Sequence, residues 1–319
     1  MLAVTHPAPD VTEIVTRPDP VPGPNDVAVS VHASGLNRAD LLQRAGRYPA
    51  PPGWPADIPG LEYAGTIDAI GSQVRRWSIG DRVMGLVGGG GHAQRLTVHE
   101  DEAITIPDGM SFTDAAAIPE AFLTAWDAMV MRGRAVAGDR VLVHAIGSGV
   151  GTAAAQLGRA LAITIIGTSR TPEKLQRCAE LGMAHGILTS EPEWTDRVGG
   201  LVQVVVDTLG AQAFEANLSL LEPQGRLVLL GTMTGAKAPS ADLGMILRRR
   251  LEVIGTAMRV RDRPERIELA ARFSSNILPM FSDGTLRPVI DRVVPMREIE
   301  AAYRALAANE TFGKIVLRW

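Results

Sequence analysis

The segment Arg140–Thr171 constrains the fold of this chain more than any other stretch. The apolar run Val141–Val143 is of strand type, and a second β-branched run, Ile163–Ile166, follows it. Between them lie a turn of small residues and then apolar residues at helical spacing, namely Gly147, Ser148, Gly149 and Gly151, then Ala153, Ala154, Leu157 and Leu161. The segment predicts strand, glycine-rich turn, helix and strand, and such a turn lets the backbone approach a pyrophosphate at the helix N-terminus.

The residues at the end of the second strand, after Ile163–Ile166, indicate whether the nucleotide is NAD or NADPH. Dinucleotide folds specific for NAD place a carboxylate there for the ribose hydroxyls. This chain has Gly167–Thr171 with no carboxylate before Glu173, and it offers two cations and two small hydroxyls instead, namely Arg170, Lys174, Ser169 and Thr171. Such a set suits a 2′-phosphate, so we expect NADPH. The alternative is that the two cations are solvated charges on a surface helix.

Composition narrows the class of protein. The chain has 319 residues, enough for two domains, and 46% of them are hydrophobic. A net charge of -3 gives no reason to expect nucleic-acid or membrane-surface binding. Cys178 is the single cysteine and is expected to be half-buried, so disulfides within the chain are excluded. With no evident signal peptide or membrane span, we expect a cytoplasmic protein.

Residues 1–120 have a different character. Prolines divide them into short pieces, and between these lie the strand-like runs Val27–Val31, Tyr63–Ile70 and Arg82–Leu86. This pattern predicts a small, irregular β-barrel. The four glycines Gly88–Gly91 lack the strand-to-helix context of a phosphate cradle, so we predict a flexible hairpin there.

From Pro119 onward the chain alternates between helices and strands. A helix is predicted from Pro119 to Gly133, and the succeeding strands and helices are Arg140–His144, Val150–Leu161, Ile163–Thr168, Pro172–Leu181, Val202–Asp207, Ala211–Leu221, Arg226–Gly231 and Leu251–Thr256. Nearly continuous apolar strands in such alternation predict an α/β, doubly wound parallel sheet. Ligands bind at the carboxyl ends of such strands, so Asp207–Gly210, Gly231–Thr234 and Gly255–Met258 are candidate cofactor walls.

The remaining residues are predicted to rejoin the first domain. A helix follows Arg263, and then come Pro288–Val294, the helix Met296–Asn309 and the strand Lys314–Leu317. The run Leu251–Thr256 lies at or near a sheet edge, which would be an aggregation risk if left bare. We therefore expect a homodimer built partly by edge-strand pairing.

Several ordered motifs together resemble the medium-chain dehydrogenase/reductase superfamily, specifically its zinc-free quinone oxidoreductases. They are Ser34–Asp40, Gly60–Gly65, Gly80–Val83, Ala115–Pro119, Thr124-Ala125, His144–Gly151 and the ending Gly313–Leu317. The runs Asn37–Tyr48 and Ala115–Thr124 look most like the tumour-suppressor-inducible NADPH:quinone oxidoreductase branch, which is zeta-crystallin-like. The resemblance implies a GroES-like β-barrel domain at 1–120, completed by 264–319, and a Rossmann domain at 121–263.

The same resemblance implies an activity and a place for it. It implies transfer of reducing equivalents from NADPH to a quinone bound in the interdomain cleft, and a homodimer. Zinc alcohol dehydrogenases of the superfamily carry Cys where this chain has Asn37 and His where it has Leu61, and neither residue here is a zinc ligand. His32, His92 and His99 show no ligand spacing, so no metal is expected.

Two residues are expected to shape the quinone site by resemblance. Tyr48, in a proline-stiffened loop, would line the site near the nicotinamide and donate to a developing quinone oxygen. Asn37 would hydrogen-bond a carbonyl or the cofactor. The alternatives are that Tyr48 packs on its own prolines and that Asn37 is a helix cap.

The resemblance also assigns cofactor contacts. Besides Tyr48, the residues are Thr124, Ser148, Gly149, Val150, Gly151, Thr168, Ser169, Arg170, Lys174, Gly231, Met233, Met258 and Lys314, the last reaching the phosphates. The sequence departs from the branch at Thr189, where a Tyr helps to hold the 2′-phosphate, and at Arg170, where a Gly is frequent. Arg170 compensates for the smaller Thr189, or the cofactor preference is relaxed.

Two other functions stay open. The first is NADPH-dependent reduction of an activated double bond in an enone or an enoyl thioester. A thioester carrier would need an anion-binding entrance, for which Arg44 and Arg47 are the candidates. The second is a non-catalytic NADPH-binding or crystallin-like protein.

Overall fold

The chain folds into two units, and the first is built from both of its outer parts. The computed structural model describes residues 1–238 and 240–319. One unit comprises Met1–Leu123 with Met258–Trp319, and the other comprises Thr124–Ala257. The limits expected from the sequence, 1–120 with 264–319 and 121–263, differ from these at both junctions, so that Met258 falls in the first unit.

The strands are numbered in chain order. They are β1 (Leu2–Thr5), β2 (Glu13–Thr16), β3 (Asp26–Leu36), β4 (Glu62–Ile70), β5 (Arg82–Leu86), β6 (Arg95–His99), β7 (Ile104–Thr105), β8 (Arg140–Val143), β9 (Thr164–Ser169), β10 (His185–Leu188), β11 (Val202–Asp207), β12 (Leu221–Leu229), β13 (Glu252–Gly255), β14 (Ile290–Pro295) and β15 (Lys314–Arg318).

The α-helices follow the same order. They are α1 (Arg38–Arg44), α2 (Phe112–Ala115), α3 (Thr124–Trp126), α4 (Gly149–Ala160), α5 (Pro172–Leu181), α6 (Phe214–Leu220), α7 (Leu243–Arg249), α8 (Arg263–Asn276), α9 (Pro279–Ser282) and α10 (Ile299–Ala307). Wide π-type turns occupy Pro119–Leu123 and Asp127–Arg132 on either side of α3, and 3₁₀ turns occupy Glu100–Glu102, Trp194–Val198 and Met296–Glu298.

The first unit is organised around β3. Its main sheet has the order β14-β15-β3-β4-β5-β7, and β6 also pairs with β3, while β1 and β2 form a separate pair. Valines of β3 alternate inward and meet Tyr63, Ile67, Val83 and Leu96 in one apolar core. Because β15 pairs antiparallel with β3, the last strand of the chain is placed beside one of the first.

The second unit is a six-stranded parallel sheet with the order β10-β9-β8-β11-β12-β13. Counted within the unit this is 3-2-1-4-5-6, the doubly wound dinucleotide-binding order. The central strands β8, β9 and β11 are almost fully buried, and the core includes Leu142, Ile166, Val205, Leu218 and Leu227. The predicted parallel sheet is confirmed, and β13 lies at its edge as expected from its sequence.

The structure corrects several local expectations. The glycines Gly88–Gly91 do not form a flexible hairpin, because the segment is buried, Gly90 N donates to Ile58 O, and β5 and β6 do not pair with each other. A Cβ on Gly88 would lie 2.4 Å from the Trp54 ring, which explains the glycine there. Cys178 is fully buried rather than half-buried, and its thiol donates to Ile146 O at 3.4 Å.

Candidate functional site

The glycine turn of the second unit is built to receive an anion. Ser148 is the N-cap of α4, and its Oγ accepts the N–H of Gly151 at 3.1 Å. The N–H groups of Gly149 and Val150 lie in the first turn, where a helix has no internal acceptors for them. A Cβ on Gly151 would lie 2.3 Å from Ile146 O, so this closeness requires glycine. The turn therefore fits a pyrophosphate at the end of a twelve-residue helix.

Two cations flank this turn at the end of β9. Arg170 is exposed, and the side chain of Lys174 lies against Gly147, where an added Cβ would meet its Cδ at 2.8 Å. The Oγ of Ser169 accepts the N–H of Thr171 at 3.1 Å, and Thr189 Oγ1 donates to Ser169 O at 3.2 Å. Arg170 and Lys174 thus supply positive charge at the strand end, as the sequence suggested.

Two buried hydroxyls in the second unit have no hydrogen-bond partner among residues 1–238 and 240–319. They belong to Thr124, which was expected to contact the nicotinamide ribose or amide, and to Thr208, which follows β11. Buried hydroxyls are normally bonded, so both have donor and acceptor capacity left for a ligand. The sequence indicated the strand tip that carries Thr208 but not this residue itself.

Thr168, an expected cofactor contact, makes an internal hydrogen bond near the end of β9. It is buried, and its Oγ1 lies 2.9 Å from Nδ1 of His144, whose Nε2 lies 2.7 Å from Asn217 Oδ1. Burial lowers the pKa of His144 and raises the pKa of the neighbouring Asp207 carboxyl. The carboxylate of Asp207 accepts the N–H groups of the loop that follows β11. This network fixes strand tips, and the sequence analysis missed it.

The other expected wall residues differ in their exposure. Gly231 follows β12 and is half-buried, whereas the side chain of Met233 is 47% exposed. In the first unit Met258 is buried, and it lines a small cavity together with Leu61, Gly88 and Arg259. These positions stay as expected contacts for a nicotinamide ring.

The first unit contains a buried cluster centred on Glu62. The Oε1 atom of Glu62 accepts Lys314 Nζ at 2.6 Å and Asn37 Nδ2 at 3.0 Å, and Oε2 accepts the N–H of Glu120 at 2.8 Å. Both members of the ion pair are buried. A Cβ on Gly35 would lie 2.1 Å from Glu62 Oε1, so glycine makes room for the carboxylate.

This cluster engages two residues that were expected to contact ligands. The ammonium of Lys314 also donates to Leu36 O and to Asn37 Oδ1, at 3.0 and 2.5 Å, so it is bound to Glu62 and its neighbours, and its expected contact with phosphates stays a prediction. Asn37 is the N-cap of α1, and Asp40 accepts its backbone N–H at 2.7 Å. Both amide hydrogens of Asn37 are donated within the unit, to Gly35 O and Glu62. Asn37 is thus a helix cap, as the alternative had it, and its expected contact with a substrate carbonyl or the cofactor stays a prediction.

Tyr48 packs against an arginine. The guanidinium of Arg259 lies 4.9 Å from the centre of the Tyr48 ring, and its Nη1 donates to Tyr48 O at 2.8 Å. Its other bonds are to Gln43 Oε1 and Gly88 O. The Tyr48 hydroxyl has no hydrogen-bond partner in the described part of the chain. Burial raises the pKa of the phenol, so the hydroxyl stays a neutral donor.

Glu120 is the titratable residue of this region that the sequence analysis missed. Its carboxyl has no hydrogen-bond or ion-pair partner among the described residues, and it lines the same small cavity as Met258 and Arg259. Burial, reinforced by the charge of Glu62, raises its pKa to about 8. The signal was available in the sequence, because Glu120 is the only ionisable residue in the apolar run Ala115–Leu123.

Among residues 1–238 and 240–319, no helix combines the length and the apolar composition that a membrane span requires. No group of three or more His, Cys, Asp or Glu side chains in the same residues is arranged to hold a metal ion. Of the histidines considered from the sequence, His32 stacks on Phe112, His92 is buried with a pKa lowered by that burial, and His99 caps a 3₁₀ turn.

Comparison with protein families matches both units. Residues 149–275 match the family described as zinc-binding dehydrogenase, and residues 23–108 match the alcohol dehydrogenase GroES-like domain. With the strand orders above, these matches confirm the predicted fold class, a GroES-like domain and a Rossmann sheet.

Individual proteins are similar over nearly the whole chain. The quinone oxidoreductase of Pseudomonas aeruginosa is 32% identical, covering 97% of this chain and 96% of that protein. The synaptic vesicle membrane protein VAT-1 homolog of Rattus norvegicus is 30% identical, covering 97% and 81%. The spectinabilin polyketide synthase system protein NorB of Streptomyces orinoci is 36% identical over 92% of this chain, which spans only 13% of that protein.

Solved structures give the same picture. The quinone oxidoreductase from Thermus thermophilus, solved alone and in complex with NADPH, has a TM-score of 0.84 at 34% identity and covers 100% of both chains. The CurK enoyl reductase has a TM-score of 0.86 at 26% identity, covering 99% of this chain and 98% of that one.

Replacing Lys314 with Met should lower the free energy of unfolding by about 3–5 kcal/mol, because Glu62 would stay buried without a counter-ion. Urea unfolding of the two proteins measures this difference. The matched control is Lys237→Met, which removes an exposed lysine. Adding Glu62→Gln to the Lys314→Met variant should recover part of the loss, and equal stability of the Lys314 and Lys237 variants would contradict the assignment.

Proposed function

The chain belongs to the medium-chain dehydrogenase/reductase superfamily, and from this membership we propose that it is an NADPH-dependent quinone oxidoreductase that needs no zinc. The observation that carries the proposal is the glycine turn at the start of α4 with Arg170 and Lys174 beside it. No carboxylate occupies the end of β9, where an NAD-specific fold would place one. The similarity to quinone oxidoreductases, one of them solved with NADPH, supports the choice of cofactor and acceptor.

In this reaction the residues of the chain bind and orient the two reactants. NADPH, when bound, supplies the hydride, and a quinone is itself a strong electrophile. Ser148, Gly149, Val150 and Gly151 hold the pyrophosphate, and the hydroxyl of Thr124 is available to the nicotinamide end. Tyr48 presents a flat ring and an unpaired hydroxyl to the quinone, held in place by Arg259. Orientation and exclusion of water then account for the catalysis.

Zinc independence is proposed from the chemistry of two side chains. Leu61 is apolar, and the amide of Asn37 is engaged with Glu62, Lys314 and Gly35. Tetrahedral catalytic zinc requires thiolate, imidazole or carboxylate ligands, which these positions do not offer. The word zinc in the description of the matched family refers to that family as a whole, and Asn37 and Leu61 are not zinc ligands.

The direct test is NADPH consumption in the presence of a panel of quinones and enones. We expect oxidation of NADPH with simple quinones, and we expect the rate to survive dialysis against a strong chelator. No turnover with any acceptor would favour a non-catalytic NADPH-binding protein. Activity that is lost on chelation and returns with zinc would overturn the metal-independent mechanism.

Reduction of an enone or enoyl double bond is the second candidate. The similarity to NorB and to the CurK enoyl reductase favours it, and so does the exposed Arg47, which could meet an anionic thioester carrier. Arg44 is less suited, because it is paired with Glu300 at 3.1 Å and bonded to Asp10 O. Preferential turnover of enoyl thioesters in the same panel, weakened by Arg47→Ala, would select this reading.

Arg170→Ala should weaken NADPH binding by about 1.5–3 kcal/mol and leave NADH binding unchanged, because a charge-assisted contact to the 2′-phosphate is lost. Fluorescence titration with each cofactor measures both affinities. Arg197→Ala is the control, since it removes another exposed cation of the same unit. Equal affinity of the parent for NADPH and NADH would refute the proposed preference.

Tyr48→Phe should reduce kcat with a quinone by about 10-fold, equivalent to about 1.4 kcal/mol, since one hydrogen-bond donor is lost while the ring is kept. Tyr48→Ala removes the ring as well and should mainly raise the quinone KM. The control is Tyr303→Phe, a buried tyrosine whose hydroxyl lies 3.2 Å from His6 Nε2. Complete loss of turnover in Tyr48→Phe, with NADPH still bound, would make Tyr48 an essential acid.

We also propose a homodimer in which β13 pairs across the two copies. The strand is at the sheet edge, and near it in sequence α7 has no buried residue, with Leu243 and Leu247 exposed by 72% and 78%. Light scattering should give about twice 34.0 kDa for the parent. Val253→Lys, in the strand, should shift the mass toward the monomer, while Val136→Lys, at another exposed valine of this unit, should not. A parent that is monomeric would end this proposal.

A further inference from the structure

The half-buried carboxyl of Glu120 is placed unlike the buried carboxyls of Glu62 and Asp40 in the first unit. Glu62 is ion-paired to Lys314, and Asp40 accepts the N–H groups of Asn37 and Gly60 at 2.7 and 3.1 Å. Glu120 has neither kind of partner in the described part of the chain. The Glu120 side chain is half-buried, so its unpartnered carboxyl is accessible to a ligand or a water molecule.

The backbone fixes where this carboxyl lies. Pro119 has no N–H, and the N–H of Glu120, in the first turn of the helical segment, has no helical acceptor and donates to Glu62 Oε2. The Glu120 side chain lines a cavity with room for about one water molecule, together with Leu61, Met258 and Arg259. Glu120 is therefore anchored by its backbone while its carboxyl stays unbonded.

The positive and negative side chains around Glu120 nearly balance. They therefore do not stabilise Glu120 as an anion in addition to Glu62. The ammonium of Lys314 is already bound to Glu62, and Asp40 is a further buried carboxyl. Burial is the main cause of the raised pKa of about 8, Glu62 and Asp40 add to it, and Lys314 and Arg259 oppose it. At neutral pH the carboxyl is consequently protonated. The other ionisable groups beside it are the phenol of Tyr48 and, lining the same cavity, Arg266.

The proposed reaction needs a proton as well as a hydride. Hydride transfer gives the acceptor two electrons and one hydrogen, and it leaves one negative oxygen on a reduced quinone. Tyr48 holds its proton tightly because burial raises its pKa, and a guanidinium such as that of Arg259 does not lose its proton in a protein. Arg259 is buried, and its hydrogen bonds are to neutral acceptors, at Gln43, Tyr48 and Gly88. It can stabilise the negative oxygen but cannot neutralise it.

We propose that Glu120 is the general acid that protonates the reduced acceptor. This inference rests on the proposed function and adds a catalytic residue to it. The O–H bond of the Glu120 carboxyl breaks and an O–H bond forms on the acceptor oxygen, which converts the anion left by hydride transfer into the neutral hydroquinone. NADPH is oxidised and the acceptor is reduced by two electrons. The Glu120 carboxylate then recovers its proton from water through the cavity.

The variant Glu120→Gln removes the acidic proton and keeps the size and shape of the side chain. Glutamine is neutral and nearly isosteric with the protonated carboxyl, so the fold should be kept. We expect kcat with a quinone to fall by about 10²-fold, within the range for loss of a general acid, while the NADPH affinity stays unchanged. In the parent, kcat should decrease as the pH rises through about 8. That alkaline decrease should be absent in Glu120→Gln and present in the control Glu310→Gln, which alters an exposed carboxyl.

A second measurement needs no cofactor and no turnover. Since the folded protein holds the Glu120 proton above the pKa of 4.5 of an ordinary glutamate, deprotonation destabilises the fold as the pH rises from about 4.5 to about 8. The Tm of Glu120→Gln relative to the parent should therefore rise over this range and level off above it. The infrared band of a protonated carboxylic acid should disappear near the same pH in the parent and be missing from Glu120→Gln.

The outcomes distinguish failure of the acid role of Glu120 from failure of the proposed function. A parent that reduces quinones, with Glu120→Gln equal to it in kcat and in alkaline pH profile, would overturn the role of Glu120 and leave the proposed function standing. A parent that reduces no acceptor would overturn the proposed function and the acid role with it. Infrared spectra that show Glu120 ionised near neutral pH would overturn the acid role alone.

Discussion

The buried ion pair between Glu62 and Lys314 is the interaction on which the first unit depends. It joins β4 to β15, and through the other acceptor and donor atoms of the two side chains it holds the N-cap of α1 and the backbone of Glu120. Moving a carboxylate out of water is unfavourable unless it is paired and fully hydrogen-bonded, and Glu62 is both. Gly35 provides the space in which this happens.

The same pair sets the ionisation of its surroundings. The ammonium of Lys314 lies near two glutamates and is bonded to Glu62. Glu120 is therefore removed from water without a counter-ion of its own, and its pKa is raised. Like-charged carboxyls that share a site cannot both ionise easily, and the pKa of one of them rises. Because one ammonium faces two carboxyls, Glu62 is ion-paired and Glu120 stays neutral. The charge of Arg259 opposes this rise in pKa, but its hydrogen bonds go to Tyr48, Gln43 and Gly88 and not to Glu120.

The two units differ in how well their sequence predicts them. In the second unit the signal is local: the apolar runs of β8, β9 and β11 and the glycines before α4 identify each element and the turn between them. In the first unit the irregular strands β1, β2 and β6 were missed, because short half-exposed strands gain their stability from partners elsewhere. The site followed the same division. The roles expected of Ser148, Arg170 and Lys174 rest on neighbouring sequence and stay predictions. The contact between Lys314 and Asn37 was missed because the two residues are separated by 277 positions, and no local pattern reveals such a contact.

The insertion of the second unit within the first has a consequence for synthesis on the ribosome. Residues 124–257 and their sheet are contiguous, so they can fold as soon as they emerge, whereas β3 lacks its partner β15 until the last residues of this sequence emerge. Until Lys314 arrives, Glu62 has no cation, and a partly assembled first unit would carry an unpaired buried carboxylate. Domains generally fold in order of emergence, and here the middle of the chain has that advantage over its beginning. The nascent first half is accordingly the part of this chain with most need of a chaperone.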